Sequence, residues 1–548
     1  IGYGTAKRKD ITGSVASVNS ETLAAIPVAS ATEALQGKMA GVQITTTEGS
    51  PDAQMSIRVR GGGSITQSNE PLFIVDGFPV ESISDIPPTD IESIDVLKDA
   101  SSTAIYGARG ANGVIIVTTK SGKEGKVSVS YNAYYAWKKV AKTLDVLSAS
   151  DYTKWQYELA QLTNKNDDYI KYFGNYQDLD MYDNVATNDW QDLTFGRTGH
   201  SFNHNLSING GSDKFKYSFS YSHIDDKAIM QMSDYARDNL NLKLNHKPLK
   251  NVSLDFSARF SKTKINGGGS NDANSSLNTD KRLKYSLLYT PYPVPGISDA
   301  LNADEEDANS LLINPLISLR DNDTRKERIN YNLAGSITWE IIKDLKLKAE
   351  VGYDDYRNNA DRYYGVTTYY VRNNVDDEDK SKPAISFTRG TRTAFRSTNT
   401  LSYDFKKFFK NNKNHLNLLA GQEYIVTRER ELRNVVHGFP TEYTADDCIN
   451  YSTKGNPYEV TNYGYPDDVL FSFFGRANYD FDSKYLFSAT FRADGSSKFA
   501  KGNQWGFFPS AAVAWRISSE SFMENTKNWL DDLKLRFSYG TAGNNNIP

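Results

Sequence analysis

From Val127 onward this sequence alternates apolar and polar residues with period two, and the alternation returns repeatedly to the end of the chain. Period two is the mark of a β-strand with one apolar and one polar face. Val127, Val129, Tyr131, Ala133, Tyr135 and Trp137 form one series. Phe215, Tyr217, Phe219 and Tyr221 form another, interleaved with Lys216, Ser218, Ser220 and Ser222. Val252–Phe260, Leu345–Tyr353, Phe471–Phe481, Tyr485–Phe491 and Leu533–Tyr539 repeat it. Thirteen such strands can be placed, running to about eleven residues. At ~3.3 Å per residue and a tilt near 45°, such a strand rises roughly 25 Å, the height of the apolar band of a membrane barrel.

The connections alternate between long and short. Residues 140–200, 263–328, 358–393 and 428–469 are long, while Gly210–Asp213, Lys247–Lys250, Lys343–Asp344, 407–414 and Asp482–Lys484 are short. Residues 519–532 break the rhythm. Outer-membrane barrels have short turns on one side and long loops on the other, whereas a sandwich has no reason to confine its insertions to one end. The expected fold is therefore an antiparallel membrane β-barrel. Such barrels favour even strand numbers, and a sheet ending on its thirteenth strand leaves an open edge. The protein is thus expected to continue beyond Pro548. Plugged transporters have twenty-two strands, so about nine would lie outside this sequence.

Composition is compatible with that fold without selecting it. The hydrophobic fraction is 39%, mean hydropathy is −0.58, and no stretch approaches the ~18 apolar residues of a membrane helix. A half-apolar strand escapes that filter, so composition leaves both a soluble β-protein and a membrane barrel open. The formal net charge of −4 implies no nucleic-acid partner. Cys448 is the only cysteine, which excludes intrachain disulfides. His200 and His204 fall on a predicted strand, ~13 Å apart and too far to share a metal. No phosphate loop, H-E-x-x-H or G-x-S-x-G occurs. The acidic runs Asp304–Asp307 and Asp376–Asp379 lack the EF-hand pattern; solvated loop charge is the first reading and a calcium role the alternative. The sequence carries no catalytic constellation, no cofactor site and no metal site, and the protein is not expected to be an enzyme.

Residues 1–125 read differently, as a mixed α+β domain. Ser30 and Glu33 have the spacing of a capping box opening a helix with Ala34, Leu35 and Met39, and Gly41 near its end. Thr89 and Glu92 repeat the device and predict a helix carrying Ile91, Ile94 and Leu97. Leu72–Val75 and Val114–Val117 read as strands, the second apolar without alternation and so buried on both faces. Asp76–Gly77 is a turn. Gly107, Gly110 and Gly113 read as turn glycines of a tightly packed domain, since their spacing is not that of a nucleotide fingerprint. Arg58 and Arg60 alternate with Ile57 and Val59 and share one face. Inside a barrel they would need partners, and the lumen-phase Asp255, Glu340 and Glu350 are the candidates for a plug–barrel ion pairing.

The strings PLFIVDGFPV at 71–80, DIESIDVLKDASSTAIYGARGANGVIIVTTK at 90–120 and IGYGTAKRKDITGSV at 1–15 closely resemble the plug domain of TonB-dependent outer-membrane receptors, specifically the SusC/RagA-like family. GRANYDFDSKYLFSATFRADGSSKF at 475–499 is similar to the barrel of the same family. The resemblance implies a plug over residues 1–125 inside a barrel that begins at 126 and has twenty-two strands when complete. It implies TonB-dependent active import across the Gram-negative outer membrane, most often of an oligosaccharide. A SusD-like surface lipoprotein would act as lid, TonB with ExbB–ExbD would supply energy, and transporter–lipoprotein pairs would be able to dimerise. The alternatives are a peptide importer of the same family and a non-lidded siderophore or cofactor receptor. A passive porin would lack a globular domain ahead of its first strand. By the same resemblance Ile1, Gly2, Tyr3 and Gly4 overlap the TonB-coupling segment, and the plug loop with Ser64, Thr66, Gln67 and Asn69 faces substrate. Trp155, Trp190, Tyr369 and Tyr370, in predicted loops, are candidates for stacking on sugar rings or for loop packing.

Overall fold

The computed structural model describes residues 13–547 other than 25–27, 29, 47–51, 53–54, 65–67, 268–281, 296, 298–312, 374–375 and 406–412. The N-terminal part contains β1 (Val15–Asn19), β2 (Val42–Thr46), β3 (Met55–Val59), β4 (Leu72–Val75), β5 (Phe78–Val80), β6 (Ile91–Leu97) and β7 (Val114–Thr119). Five of these form a sheet in the order β1-β6-β7-β4-β5, and β2 pairs with β3 as a separate hairpin. The non-alternating β7 lies centrally, antiparallel to β6 and parallel to β4, with both faces covered as its sequence requires. Leu23, Leu35, Ile57, Val75, Ile83, Ile91, Ile94, Ile115 and Val117 make a core that draws only on residues of this domain.

Two local expectations divide here. Ser30 does cap a helix, Ala31–Ala34, its hydroxyl accepting the Glu33 amide at 3.1 Å, although the helix is a single turn. The second helix, expected over Ile91–Leu97, is strand β6. Pro88–Asp90 make one tight turn, after which Ile91 is extended at φ −91° and ψ 133°. β6 is sandwiched between β1 and β7, and burial of Ile91, Ile94, Val96 and Leu97 outweighs a cap-like spacing worth about 1 kcal/mol.

The rest forms one antiparallel sheet: β8 (Gly125–Lys138), β9 (Gly199–Gly211), β10 (Phe215–Lys227), β11 (Asp234–Leu249), β12 (Val252–Asn266), β13 (Thr324–Ile342), β14 (Leu345–Tyr364), β15 (Ala384–Asp404), β16 (Asn414–His437), β17 (Asn456–Gly464), β18 (Asp468–Phe481), β19 (Tyr485–Ser496), β20 (Trp505–Arg516) and β21 (Lys534–Gly540). Thirteen of the fourteen follow one another in chain order and correspond to the thirteen read from the sequence. The other, β17, pairs with Arg430–His437 at the far end of β16. The sheet wraps the plug, which is contacted by strands from β9 to β21. This is a partial β-barrel with an N-terminal plug in its lumen.

Its faces are inverted relative to a soluble protein. Val129, Tyr131, Val351, Tyr353, Phe395, Phe473, Phe487 and Phe537 are exposed on the outside, while Ser218, Ser220, Ser222, Asn241, Thr398, Glu423, Thr490 and Arg492 are buried inside. An apolar exterior around a polar lumen is what hydrocarbon surroundings demand. Among the described residues no helix is long and apolar enough to cross a membrane, which says nothing about strands. The strands also outrun the expected length, reaching 20, 21 and 24 residues in β14, β15 and β16. Tyr353, Phe395 and Val426 end the outward apolar series on these three strands, and the next outward residues are Asp355, Thr393 and Arg428, paired in register. Tyr356–Tyr364 then continue β14 for roughly 30 Å of strand beyond the apolar band.

Candidate functional site between plug and barrel wall

The barrel turns charged side chains inward onto the plug, beside a small apolar contact made by Leu419 and Phe474 with Ile105 and Tyr106. Glu423 of β16, Arg396 of β15, and Arg492 and Asp494 of β19 meet at the centre. Arg396 Nε reaches Glu423 Oε1 at 2.8 Å, and Arg492 Nη2 reaches Glu423 Oε2 at 2.8 Å. Arg492 Nε lies 2.6 Å from Asp494 Oδ1, with both side chains 0% exposed. The plug enters this network through the segment Ile105–Arg109. Arg492 Nη1 donates to the Ile105 carbonyl at 2.8 Å, the Ala108 amide donates to Asp494 Oδ2 at 2.6 Å, and Arg109 Nη2 lies 3.4 Å from Glu423 Oε2. Gly107 makes that approach possible. Its φ is +53°, and a Cβ there would run into the Asp494 carboxylate and lie 2.8 Å from Arg492 Cδ.

Two further contacts flank the centre. At the Asp76–Gly77 turn, Lys243 Nζ of β11 lies 2.7 Å from Asp76 Oδ1 and 2.8 Å from the Thr119 carbonyl oxygen, while Arg396 Nη1 bonds the Gly77 carbonyl and Glu350 Oε1, the latter at 2.8 Å. Toward the long-connection side, Arg328 Nη2 of β13 lies 2.6 Å from Asp52 Oδ1 and 3.4 Å from Asp85 Oδ1, and Arg237 Nη1 donates to the Ser84 carbonyl at 2.9 Å. Burial raises the Asp52 carboxyl in spite of Arg328, and burial likewise raises Asp90, opposed by hydrogen bonds from Ser220 and Asn205.

The ion pairing expected at Arg58 and Arg60 is found on these other residues. Both arginines are exposed, and Arg60 Nη2 lies 3.4 Å from Ser14 Oγ of the plug itself. Of the carboxylates named beforehand, Glu350 joins the network, Glu340 accepts the Asp344 amide within its own hairpin, and Asp255 bonds Asn245 and Ser336 on the wall.

The Arg328 contacts themselves line a cavity of about 760 Å³ between plug and wall, together with Glu70, Glu81, Tyr134, Arg259, Tyr356 and Arg392 among others. Burial, reinforced by Glu81, raises the Glu70 carboxyl. The expected substrate loop ends just before this residue, at Asn69. Asn69 braces that loop: Oδ1 accepts the Gly63 and Ser64 amides at 2.8 and 2.9 Å, and Nδ2 donates to the Ser64 carbonyl at 2.7 Å. Thr66 and Gln67, like Ile1, Gly2, Tyr3 and Gly4, lie outside the described residues, as does Asp304–Asp307. Asp379 is taken up by Asn456 and Lys382. Two of the four loop aromatics are occupied by packing: Trp190 Nε1 donates to the Thr290 carbonyl at 2.8 Å, and Tyr370 stacks on Tyr364 at 4.3 Å. Trp155 is exposed, and the Tyr369 side chain lies outside the described set. His200 and His204 stand on β9 as expected and meet Tyr135 and Tyr131.

Known proteins share this fold. Residues 7–114 match the family described as TonB-dependent receptor plug domain, and residues 269–547 the family described as TonB dependent receptor-like, beta-barrel. All of the chain aligns with TonB-dependent receptor P3 of Formosa agariphila at 33% identity and with TonB-dependent receptor SusC of Bacteroides thetaiotaomicron at 32%, covering 51% and 53% of those proteins. The chain thus spans about half the length of the curated relatives it matches. The RagAB peptide importer in its open-open state is similar over the whole chain and 61% of its own, with a TM-score of 0.80 and 27% identity. The ferric citrate transporter FecA, at 12% identity and a TM-score of 0.56, shares the fold.

Proposed function

Since this chain belongs to the TonB-dependent receptors, in their SusC/RagA-like branch, we propose that it is the gated part of an importer that takes a nutrient oligosaccharide across the bacterial outer membrane. Receptors of this family are outer-membrane β-barrels. The observation that carries the reading is the division of labour within the plug. Its main apolar core is built from its own residues, whereas its seat in the barrel combines hydrogen bonds and ion pairs with one small apolar contact, Ile105 and Tyr106 against Leu419 and Phe474. A domain joined by a polar interface can shift without losing its core. Force applied at the N-terminal end by TonB with ExbB–ExbD is the proposed driver. A SusD-like lipoprotein over the long connections is the proposed lid, and Ser64, Thr66, Gln67 and Asn69 belong to the loop proposed to meet cargo.

A peptide is the second reading, favoured by the charge of the chamber, whose lining includes both carboxylates such as Glu70 and Glu81 and the guanidinium groups of Arg259 and Arg392. Carboxylates and guanidinium groups suit a chain with ammonium and carboxylate ends better than a neutral glycan. Native mass spectrometry of the full-length protein from its own membrane tests both. A co-purifying lipoprotein with ligand masses spaced by sugar residues supports the first reading, amino-acid spacings support the second, and a bare barrel counts against a lidded importer.

A further inference from the structure

The chain leaves the sheet after β21. β20 is paired with β19 up to Trp505, yet β21 follows β20 only from Arg516 to Ser510. From Thr541, whose amide still donates to the Pro509 carbonyl at 3.1 Å, the backbone turns into the lumen and lies along the plug. The Gly543 amide donates to the Gly107 carbonyl at 3.0 Å, the Ala111 amide to the Gly543 carbonyl at 3.1 Å, and the Asn545 amide to the Ala108 carbonyl at 2.8 Å. A side chain at Gly543 would sit 2.7 Å from Phe508 Cε1 and 3.2 Å from Ala108 Cα, so glycine is what lets the two backbones meet. Plug segment 105–111 is thereby gripped twice, by Arg492 and Asp494 of the wall and by residues 543–545.

The other end of this stretch touches the β19–β20 connection, residues 497–504, on the side of the long connections. Asn545, 7% exposed, lies 3.4 Å through Nδ2 from Ser496 Oγ, and Lys498 Nζ donates to the Ile547 carbonyl at 3.0 Å. We propose that residues 541–547 form a strap that couples the position of plug segment 105–111 to the β19–β20 connection. Movement of the segment strips the strap of its backbone partners, and a strap that moves with the plug pulls on Ser496 and Lys498. A shift deep in the lumen thus reaches the outer rim through one short stretch of chain, in addition to anything carried by the wall itself.

Hydrogen exchange of the full-length protein in detergent tests this without cargo or TonB, so its outcome is independent of the transport reading. Gly543→Val, which lifts the strap off Ala108, is expected to raise amide exchange at 105–111 and at 497–504 together, each by roughly tenfold. Lys498→Gln, at the solvent end of the strap, is expected to raise exchange at 541–547 and more weakly at 105–111. Exchange that rises only within 541–547 in these variants overturns the proposal, as does loosening of 105–111 in Gly543→Val with 497–504 unchanged. If Gly543→Val does not fold, Lys498→Gln decides alone by whether its effect reaches the plug.

Discussion

Glu423 is surrounded by the guanidinium groups of Arg396, Arg492 and Arg109. Such a carboxylate is a keystone: removing its charge leaves buried cations facing one another, a loss of about 3–5 kcal/mol. Glu423→Gln is expected to lower the thermal midpoint in detergent and to admit antibiotics that the plugged barrel excludes. Arg60→Glu is expected to change stability by less than about 0.5 kcal/mol, because the arginine it replaces is exposed and its side-chain hydrogen bond among the described residues, to Ser14 Oγ, is long at 3.4 Å. Antibiotic exclusion by both variants separates a lock built on the wall from one built on the plug arginines. The sequence held a partial signal for this. Arg492 and Asp494 sit in the polar phase of a strand whose other phase carries Phe487, Ala489 and Phe491, so their inward direction was readable. Their partner was not, since the Ala108 amide and the Ile105 carbonyl are backbone groups that no side-chain pattern announces.

Strands were the most legible elements, because lipid outside and water inside force every residue to declare its side. β17 escaped notice for the complementary reason. It is a ribbon beyond the apolar band with both faces largely exposed, so nothing imposes alternation on it. The lengths of β14, β15 and β16 were underestimated because the apolar signal stops at Tyr353, Phe395 and Val426 while backbone pairing goes on. That boundary yields an expectation. Ala349→Lys, in the middle of the outward series Leu345–Tyr353 of β14, should cost about 2–4 kcal/mol, whereas Asn359→Lys, outward but above the band, should be tolerated. Folding titrations in lipid vesicles check the pair, and equal costs would place the band elsewhere. In the plug the misreading of β6 had another origin: a Thr–x–x–Glu spacing that belongs to a proline turn rather than to a helix.

At the scale of the whole molecule the contact between plug and wall is sealed from solvent at its centre, where Arg492, Asp494 and Glu423 are 0–1% exposed. Salt screens exposed pairs far more than buried ones. Thermal unfolding of the seated plug is therefore expected to be nearly flat between 0.1 and 1 M salt (a Debye length of roughly 10 Å falling to 3 Å), and a steep decline would mean that water reaches the lock. The chamber gives a pH expectation. Burial and Glu81 raise the Glu70 carboxyl, so it gains its proton at a higher pH than an ordinary glutamate as the medium is acidified. Binding of a cationic cargo should weaken as pH falls through that raised value, with weakening beginning above the usual carboxylate range; calorimetry with a basic peptide measures it, and a neutral glycan should show no such dependence. The alternation that fixes the barrel has one more consequence, for biogenesis. Because apolar residues occupy every second position, no segment carries enough continuous hydrophobicity to be retained by the machinery that inserts helices into the inner membrane. A sequence written this way can be exported as if it were water-soluble, and it becomes a membrane protein only when pairing gathers the scattered apolar positions onto one surface.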